Sequence, residues 1–443
     1  MANPTHIQRL LMPDWNQWRT SNGVSTPDFT NADLRNVDLS NRDLSGADLT
    51  KAVFSGSKMS NCNLRQTTLT DVNLRGTDLS NANLERANLT GIDFSGAILA
   101  GANLRGVNLN RANLSKVNLR GCNLEAARFE ATNLEGADFT AAMMKDATFR
   151  GTGLAGCCLE QANLENVALD NLDLSKVNFK GANLSGASLK YTKMRDCDLS
   201  LAKFTNASLI GTDFAGSTLY RAEFDMATLI EVKFDNVNLQ MASFKEARLE
   251  KVSLSSATID DVRFEKTRMI VNLQGMDLRP ARLPEAQFSG SNLNGTVLQG
   301  MDLRGVVFRG CSLIGSKLND ANLEGALLDG SNFSRATFRQ ANLSKVSAIG
   351  ATFDEAEMSG VNFTAATLCR ASFQAADLRF TKFVRANLEE AKFQRANLSG
   401  AHISEANTKK ANFWAAKTSA GSKIECPFYW KPILLVFRLM SKG

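Results

Sequence analysis

Large apolar residues recur at every fifth position along most of this chain. Counted in steps of five from Phe29 to Met269, and again from Leu273 to Phe413, 76 of 78 positions hold Leu, Phe, Ile or Met. The two exceptions are Ala348 and Thr408. The residue two places before each of these positions is Ala, Ser, Thr, Cys or Val in 72 of the 78 cases. Each five-residue unit therefore carries one slim and one bulky residue at a fixed spacing.

No common element has a period of five. An α-helix turns by about 100° per residue, so residues five apart would form no stripe along it. In a continuous strand, residues five apart point to opposite faces. A chain that turns a corner every five residues fits, because residues two apart in each short extended piece point the same way. We therefore predict an all-β solenoid, with slim and bulky residues inside and the other positions outside.

The period also predicts how the chain is organised. One residue is missing between Met269 and Leu273, and Pro280 and Pro284 follow. We interpret this as a kink or bulge, with a hinge or binding feature as the alternative. The prediction is an N-terminal cap at 1–26, repeat block 1 at 27–269, repeat block 2 at 270–418 and a non-repeat tail at 419–443.

The repeat units resemble the pentapeptide-repeat family, whose consensus is roughly A(D/N)LXX. Matching units include ADLRN at 32–36, ANLER at 82–86, ANLEG at 321–325 and ANLSG at 396–400. The resemblance covers about residues 27–417. It implies a right-handed quadrilateral β-helix with four units per coil, and thus about 19 coils. Phenylalanines recur every ten residues from Phe204 to Phe244 and are expected to form two stacked columns on opposite walls.

A solenoid has unpaired strand edges at both ends, and we expect both to be covered. Trp15 and Trp18 lie three residues apart in PDWNQWR and would share one face of a short helix. We favour a capping role for them over a partner-binding aromatic patch. Arg42 occupies a slim inward position, so we expect its side chain to reach the edge or an acid of the cap.

The sequence leaves open whether the tail caps the last coil, contacts a second copy in a homodimer, or docks on a membrane surface or partner. Its apolar run is too short to span a bilayer. Basic residues flank it, which suits a bilayer interface. We favour a cap or dimer contact. The residues concerned are Phe428, Tyr429, Trp430, Leu434, Leu435 and Phe437.

Charge and cysteine content narrow the function classes. Residues 1–408 hold 44 basic and 44 acidic residues, so the net charge of +6 comes entirely from residues 409–443. No signal peptide or apolar run of membrane-spanning length is evident, so we expect a cytoplasmic protein with reduced thiols, with non-classical secretion as an alternative. Five of the eight cysteines occupy slim inward positions, at 62, 122, 157, 197 and 311.

The sequence contains no recognisable catalytic or metal-binding motif. Its two histidines, His6 and His402, stand alone, and its acids are scattered over outward positions. We predict that the chain is not an enzyme, holds no cofactor or metal and does not bind nucleic acid directly.

Three functions compete. The first is a scaffold that offers flat polar faces to an unidentified protein partner. The second, implied by the resemblance, is protection of a type II topoisomerase such as DNA gyrase by mimicry of DNA, which would require a strongly acidic surface. Five consecutive units carry aspartate, at positions 28, 33, 38, 43 and 48, but the repeat region as a whole is neutral. The third is a secreted effector or membrane-associated protein that uses the tail.

Overall fold

The computed structural model describes residues 2–419 and 422–424. It divides into two compact units, Met1–Ala242 and Ser243–Gly443. Each unit is built from five-residue steps that pair with steps one coil away. The pairing is parallel throughout the described bridges.

The unit around Leu104 shows how one step is held. Leu104 N donates to Asn123 O at 2.7 Å, and Asn103 N donates to Ala82 O at 2.9 Å, so the step is bonded to the coils on both sides. Asn103 bridges Asn83 and Asn123, the equivalent residues of the coils before and after it. Ala102 and Leu104 are both fully buried. The prediction that the slim and bulky residues both point inward is confirmed, and each step pairs with the step four units away.

The first compact unit begins with two short helices. Helix α1 spans Pro4–Leu10, and Asn3 caps it by accepting hydrogen bonds from Thr5 N and His6 N. Helix α2 spans Trp15–Ser21. Strands β1 (Ser208–Ile210) and β2 (Thr228–Ile230) pair in parallel, with their first residues opposite each other. The remaining steps pair through single bridges, because each extended piece ends after a few residues.

The second compact unit contains the register break. Strands β3 (Arg248–Ser253) and β4 (Arg268–Asn272) pair in parallel, with an irregularity between Glu250 and Ser253. Pairs before the irregularity keep the usual interval, whereas Ser253 pairs with Asn272, one position closer along the chain. The missing residue is thus absorbed as a bulge. Near the end of the unit, β5 (His402–Ile403) pairs in parallel with β6 (Lys423–Ile424).

The outward Asn and Asp residues stabilise the extended pieces and corners. The Asn103 side-chain oxygen accepts a hydrogen bond from Arg105 N at 3.3 Å, and Asp78 does the same for Ser80 N at 3.0 Å. This local turn explains why the unit prefers Asn or Asp directly before its bulky residue. The corner that follows has a positive φ, as at Gly106 (66°) and Asn81 (56°), which favours Gly and Asn there.

The interior is filled by stacked side chains. The ring centroids of Phe204 and Phe224 lie 4.8 Å apart with an interplanar angle of 3°. Those of Phe214 and Phe234 lie 5.6 Å apart with an interplanar angle of 6°. For these four rings the two predicted columns are confirmed. In the second unit, Phe244 stacks on Phe264 at 5.3 Å.

The cysteines predicted at slim inward positions are buried, and the seven cysteines among the described residues are free thiols. Burial raises the pKa of Cys62 and Cys122 to about 12, which keeps these thiols protonated and unreactive. Within residues 2–419 and 422–424, no helix has the length and apolar character needed to cross a membrane.

Candidate interaction surfaces

The tryptophans predicted to form the N-terminal cap lie against the first coil. Trp15 is fully buried, and its Nε1 donates to Asp43 O at 2.8 Å. Trp18 is half-buried and stacks on Trp15 at 5.6 Å, while Trp15 also packs 5.8 Å from Phe29. This arrangement covers the first ring of the inner phenylalanine and leucine stack.

The cap also supplies hydrogen-bond partners that a preceding coil would otherwise provide. His6 Nδ1 accepts from Asp28 N at 3.0 Å, and the Asn16 side chain accepts from Asp43 N at 2.7 Å. Asn3 N donates to Asp28 O at 3.2 Å. At the steps of Asp28 and Asp43, the edge of the first coil therefore has partners for both N–H and C=O groups, whereas the N–H groups of Asp33 and Asp38 have no acceptor among the described residues.

Arg19 is the residue of this end that the sequence did not single out. Its guanidinium is buried and donates to Val24 O, Asp43 O, Ser25 O and Ser45 O. Two of its acceptors, Asp43 O and Ser45 O, become neighbours only when the chain coils, so nothing in the sequence around Arg19 signals its bonds to the first coil.

Arg42 reaches the cap, as expected, through backbone carbonyls rather than through an acid. It donates to Leu10 O and Pro13 O, both at 3.2 Å. These two bonds connect the first coil to the segment that ends α1.

The five consecutive aspartates, which span the first coil and the start of the second, accept hydrogen bonds from neighbouring groups. The Asp28 carboxylate accepts from the Thr30 hydroxyl and amide, which lowers its pKa below the usual 3.8. Arg35 holds the pKa of Asp33 at about 2. Asp28 and Asp33 thus serve the same turn that asparagine serves elsewhere in the repeat.

Two neighbouring columns of the first unit show how most outward side chains satisfy one another. Asn103 Nδ2 donates to Asn83 Oδ1 at 3.1 Å. Beside it, Arg105 lies 4.0 Å from Glu85 and 3.4 Å from Glu125. Such exposed pairs contribute little stability individually. Together they form a neutral surface whose polar groups already have partners.

Two exposed aromatic residues depart from this pattern. Tyr191 in the first unit and Phe380 in the second are 61% and 64% exposed. Both stand at corners with a positive φ, 56° and 58°, and they are the only aromatic residues at such corners in the described part of the chain. A bulky side chain is unfavourable in this conformation by about 1 kcal/mol. Each of these two residues therefore occupies a costly position while remaining exposed.

Each ring lies on a glycine of the following coil. A Cβ added to Gly211 would come within 2.6 Å of the Tyr191 ring, and one added to Gly400 within 2.6 Å of the Phe380 ring. A side chain at either glycine would therefore force the ring to shift.

Apolar neighbours extend the Tyr191 corner. Tyr191 N donates to Ile210 O at 2.7 Å, and Gly211 N donates to Ile230 O at 2.8 Å, which places these residues on adjacent coils. Both isoleucines are half-buried at outward positions where polar residues usually stand. Tyr191, Ile210 and Ile230 form what we call the Tyr191 patch.

The second unit carries a further exposed aromatic residue. Trp414 is 63% exposed, and the Arg395 guanidinium lies 5.7 Å from its ring centroid. A cation at this distance is attracted to the ring face.

The six tail residues predicted to cap or dock, Phe428, Tyr429, Trp430, Leu434, Leu435 and Phe437, lie outside the described residues. No group of three or more His, Cys, Asp or Glu residues positioned to hold a metal ion occurs within residues 2–419 and 422–424.

These features define the class of protein as a parallel β-solenoid of five-residue units. The profile for pentapeptide repeats matches eight segments, which together cover more than half of the chain, and a pentapeptide repeat region profile matches residues 157–229 and 350–419. The chain therefore belongs to the pentapeptide-repeat family. The eight segments are 28–66, 47–86, 87–125, 122–161, 233–269, 272–310, 291–330 and 308–344.

Similar solved structures include other pentapeptide-repeat proteins. HetL from the cyanobacterium Nostoc, involved in heterocyst differentiation regulation, is 26% identical over 55% of this chain and 94% of its own, with a TM-score of 0.28. Rfr23 from the cyanobacterium Cyanothece is 24% identical over 26% of this chain and 64% of its own, with a TM-score of 0.14.

A trypsin-treated variant of QnrB1, a plasmid-mediated fluoroquinolone resistance protein, is 17% identical over 61% of this chain and 97% of its own, with a TM-score of 0.18. No curated protein matches this chain. Because all three TM-scores are low, the family assignment rests on the repeat matches.

Proposed function

We propose that this protein is a non-enzymatic scaffold that binds a protein partner through exposed aromatic corners on its outer surface. The observation that carries the proposal is the position of Tyr191 and Phe380. Each holds a bulky ring in a backbone conformation that favours Gly or Asn, and each remains mostly exposed. Other bulky residues, such as Leu201 and Met226, occupy corners with a similar φ, so the exposed aromatic rings are what distinguish these two positions.

The chemistry of the corners fits a protein surface as partner. Tyrosine and other aromatic side chains are enriched at protein interfaces and contribute much of their binding energy. The Tyr191 patch adds two half-buried isoleucines beside the ring. Around such sites, the columns of asparagine amides and of ion pairs bond among themselves and present a flat surface with few unsatisfied groups. The aromatic corners are therefore expected to contribute most of the binding energy to a partner.

The test exploits the strain at the corners. We expect Tyr191→Asn and Phe380→Asn to leave the melting temperature unchanged or slightly raised, because asparagine adopts a positive φ more easily. The same substitutions are expected to remove a protein that the full-length chain captures from native lysate. Thermal unfolding and quantitative pull-down measure the two effects.

The matched control is Asn171→Lys, which changes the same corner column one coil before Tyr191 and should retain the captured protein. Capture that survives the Tyr191→Asn, Phe380→Asn double variant would contradict the proposal.

The second candidate is protection of DNA gyrase by mimicry of DNA, supported by the five consecutive aspartates at 28, 33, 38, 43 and 48. It ranks second because those carboxylates bond to neighbouring hydroxyl, amide and guanidinium groups, and because the repeat region as a whole is neutral. A gyrase supercoiling assay tests it. Failure to alter supercoiling or relieve fluoroquinolone inhibition at stoichiometric excess would remove it.

The third candidate, membrane or effector activity through the tail, is tested by flotation with anionic vesicles. A chain ending at Gly421 should lose binding if the tail carries it, and equal flotation of both chains would end this hypothesis. A homodimer contact through the tail stays a proposal, and sedimentation of the same two chains tests it.

We further propose that the coils are right-handed and four-sided and number about 19, divided into the four segments predicted from the sequence. The pairing of each step with the step four units later, as Asn83 with Asn103, supports four units per coil. The two separate phenylalanine columns support opposite inner walls. A crystal structure would test handedness and cross-section.

A further inference from the structure

One corner of the first unit places an arginine between two exposed apolar side chains. Leu201, Arg221 and Met241 occupy this corner in three successive coils, each with a positive φ, 62°, 57° and 60°. Leu201 N donates to Tyr220 O at 2.9 Å, and Arg221 N donates to Gln240 O at 3.0 Å, which places the three coils next to one another. The side chains of Leu201, Arg221 and Met241 are all exposed.

Arg221 is oriented by its neighbours. Its guanidinium carbon lies 5.2 Å from the centroid of the Tyr220 ring, and its Nε donates to Met241 Sδ at 3.3 Å. A cation is attracted to an aromatic face, and a thioether sulfur is a weak acceptor. These contacts hold the guanidinium in place without neutralising its charge.

Arg105, in the same unit, shows what is unusual about Arg221. Arg105 stands between glutamates of the coils before and after it, at 4.0 Å and 3.4 Å. At the corresponding neighbours of Arg221 the chain has Leu201 and Met241 instead. Within the part of the chain that the structure describes, no carboxylate lies within ion-pair distance of the Arg221 guanidinium. Arg221 therefore offers a positioned positive charge in an apolar setting.

We infer that this corner binds an acidic peptide segment of a protein partner, with a carboxylate on Arg221 and apolar side chains against Leu201 and Met241. We call Leu201, Tyr220, Arg221 and Met241 the Arg221 corner. A guanidinium presents parallel N–H donors that match the two oxygens of a carboxylate. The apolar side chains before and after Arg221 match a carboxylate that is itself flanked by apolar residues.

The spacing of the coils indicates the spacing of the peptide. Adjacent coils are ~4.8 Å apart, and residues two apart in an extended peptide point to the same side at a separation of ~7 Å. A peptide that lies along the corner with its acid on Arg221 therefore brings the residues two positions before and after the acid close to Leu201 and Met241. The expected motif is apolar-x-acid-x-apolar.

A carboxylate fits this corner better than a phosphate group does. A phosphate group carries up to two negative charges and is typically bound by clusters of arginine or by several backbone N–H groups. The Arg221 corner combines one cation with two apolar side chains and one ring. Methionine also adapts its shape to different apolar partners, which suits Met241 to a peptide side chain.

The Arg221 corner is separate from the aromatic corners of the proposed function. Leu201 follows Tyr191 by two five-residue steps, which is half of the four-step interval between paired steps. The two sets of residues therefore lie on different corners of the first unit. The inference goes beyond the proposed function, because it assigns a charged recognition site that does not use Tyr191 or Phe380.

An array of synthetic peptides tests the inference with the full-length chain. The peptides carry Asp or Glu at the centre of the motif and Leu, Met or Phe at its two apolar positions, and each has a counterpart with Asn or Gln at the centre. Acid peptides should bind on the order of tenfold more tightly than their amide counterparts, because hydrogen bonds to charged groups are stronger. Equal binding of acid and amide peptides, or no binding of either, would overturn the inference.

A matched pair of arginine variants locates the site. Arg221→Gln should remove the preference for acid peptides and keep the melting temperature, since Gln161 occupies the same corner in an earlier coil with a φ of 58°. Arg111→Gln is the control, because Arg111 is another exposed arginine at a corner with a positive φ, and it should keep the full preference. A preference that survives Arg221→Gln, or that both variants lose equally, would place the carboxylate elsewhere and overturn the inference.

Two further measurements exclude other assignments. The Tyr191→Asn, Phe380→Asn double variant should keep the preference for acid peptides, and its loss there would assign the peptides to the aromatic corners and overturn the inference. Inorganic phosphate should compete with the peptides no better than chloride at equal ionic strength. Competition specific to phosphate would assign Arg221 to a phosphate group and contradict the acidic peptide as its occupant.

Discussion

Each end of the repeat region has a coil edge whose backbone groups lack a neighbouring coil on one side, and the chain covers the two edges by different means. At the N-terminal end, side chains of a short helical segment supply what a preceding coil would supply. His6 and Asn16 accept from backbone N–H groups, and Trp15 and Arg19 donate to carbonyls. At the C-terminal end, a further extended piece of the chain does this, because β6 pairs with β5 of the preceding coil.

The difference teaches that a parallel coil exposes alternating N–H and C=O groups at either edge. A cap needs both donors and acceptors at the spacing of the coil, together with an apolar lid over the inner stack. The N-terminal segment meets these needs at the steps of Asp28 and Asp43, with residues that follow no repeat. At the C-terminal end, Ser422 and β6 bond to the preceding coil much as a further step of the repeat would.

The largest expected effect is at the N-terminal lid. Trp15→Ala should destabilise the first coils by about 3–5 kcal/mol, because it removes a fully buried ring and the donor to Asp43 O. Hydrogen exchange of the Phe29 and Leu34 amides measures this. Trp18→Ala is the control and should cost less, since Trp18 is only half-buried. Equal losses would mean that Trp15 has no special capping role.

A matched pair of phenylalanines sharpens the contrast at the other end. Phe393→Ala should cost about 3–5 kcal/mol, whereas Phe413→Ala should cost about half as much in a chain ending at Ile424. Denaturant unfolding compares the two variants in that background. If both substitutions cost the same, the C-terminal end of the stack is covered without the tail.

The polar half of the N-terminal cap should give an intermediate effect. Arg19→Met retains much of the aliphatic volume but leaves the carbonyls of Ser25 and Ser45 without their donor. We expect a loss of about 2 kcal/mol in the stability of the first coils, from the cost of unsatisfied buried carbonyls. Hydrogen exchange of the Leu44 and Ala47 amides reports it, and an unchanged rate would show that water replaces the guanidinium.

Acid should weaken the N-terminal end more than the C-terminal end. The pKa values of Asp28 and Asp33 are lowered in the folded state, by Thr30 and by Arg35 respectively. Carboxyl groups with lowered pKa values stabilise the fold above their unfolded pKa of 3.8 and lose this contribution as the pH falls through the folded values. The last coil uses Asn407 and Asn412 at the same position, and amides do not titrate in this range.

The effect of acid is expected to be small because these carboxyl groups are exposed. Near-ultraviolet circular dichroism between pH 5 and pH 2 can follow Trp15 and Trp18 in a Trp414→Phe, Trp430→Phe background. The additional changes Asp28→Asn and Asp33→Asn should flatten the curve, and a curve unchanged by them would refute the assignment.

Most of the fold could be predicted from the sequence because its determinants are local. The slim and bulky positions, the lost residue near Met269 and the buried thiols all follow from the five-residue spacing. The roles of Arg19 and the aromatic corners could not be predicted. Arg19 bonds to carbonyls as far along the chain as Ser45, and the Tyr191 ring needs a glycine one coil later.

The sequence alone determined that the chain coils and which side chains point inward, because alternation within one extended piece decides the side of every residue. Only the tertiary structure decided which residues become neighbours across coils. In the folded chain, Asp28 bonds within its own turn and Tyr191 lies against Gly211. Arg19 donates to carbonyls at the N-terminal edge of the first coil. Pairing between steps four units apart brings distant residues together, and the partners at that interval are chosen by packing rather than by local spacing.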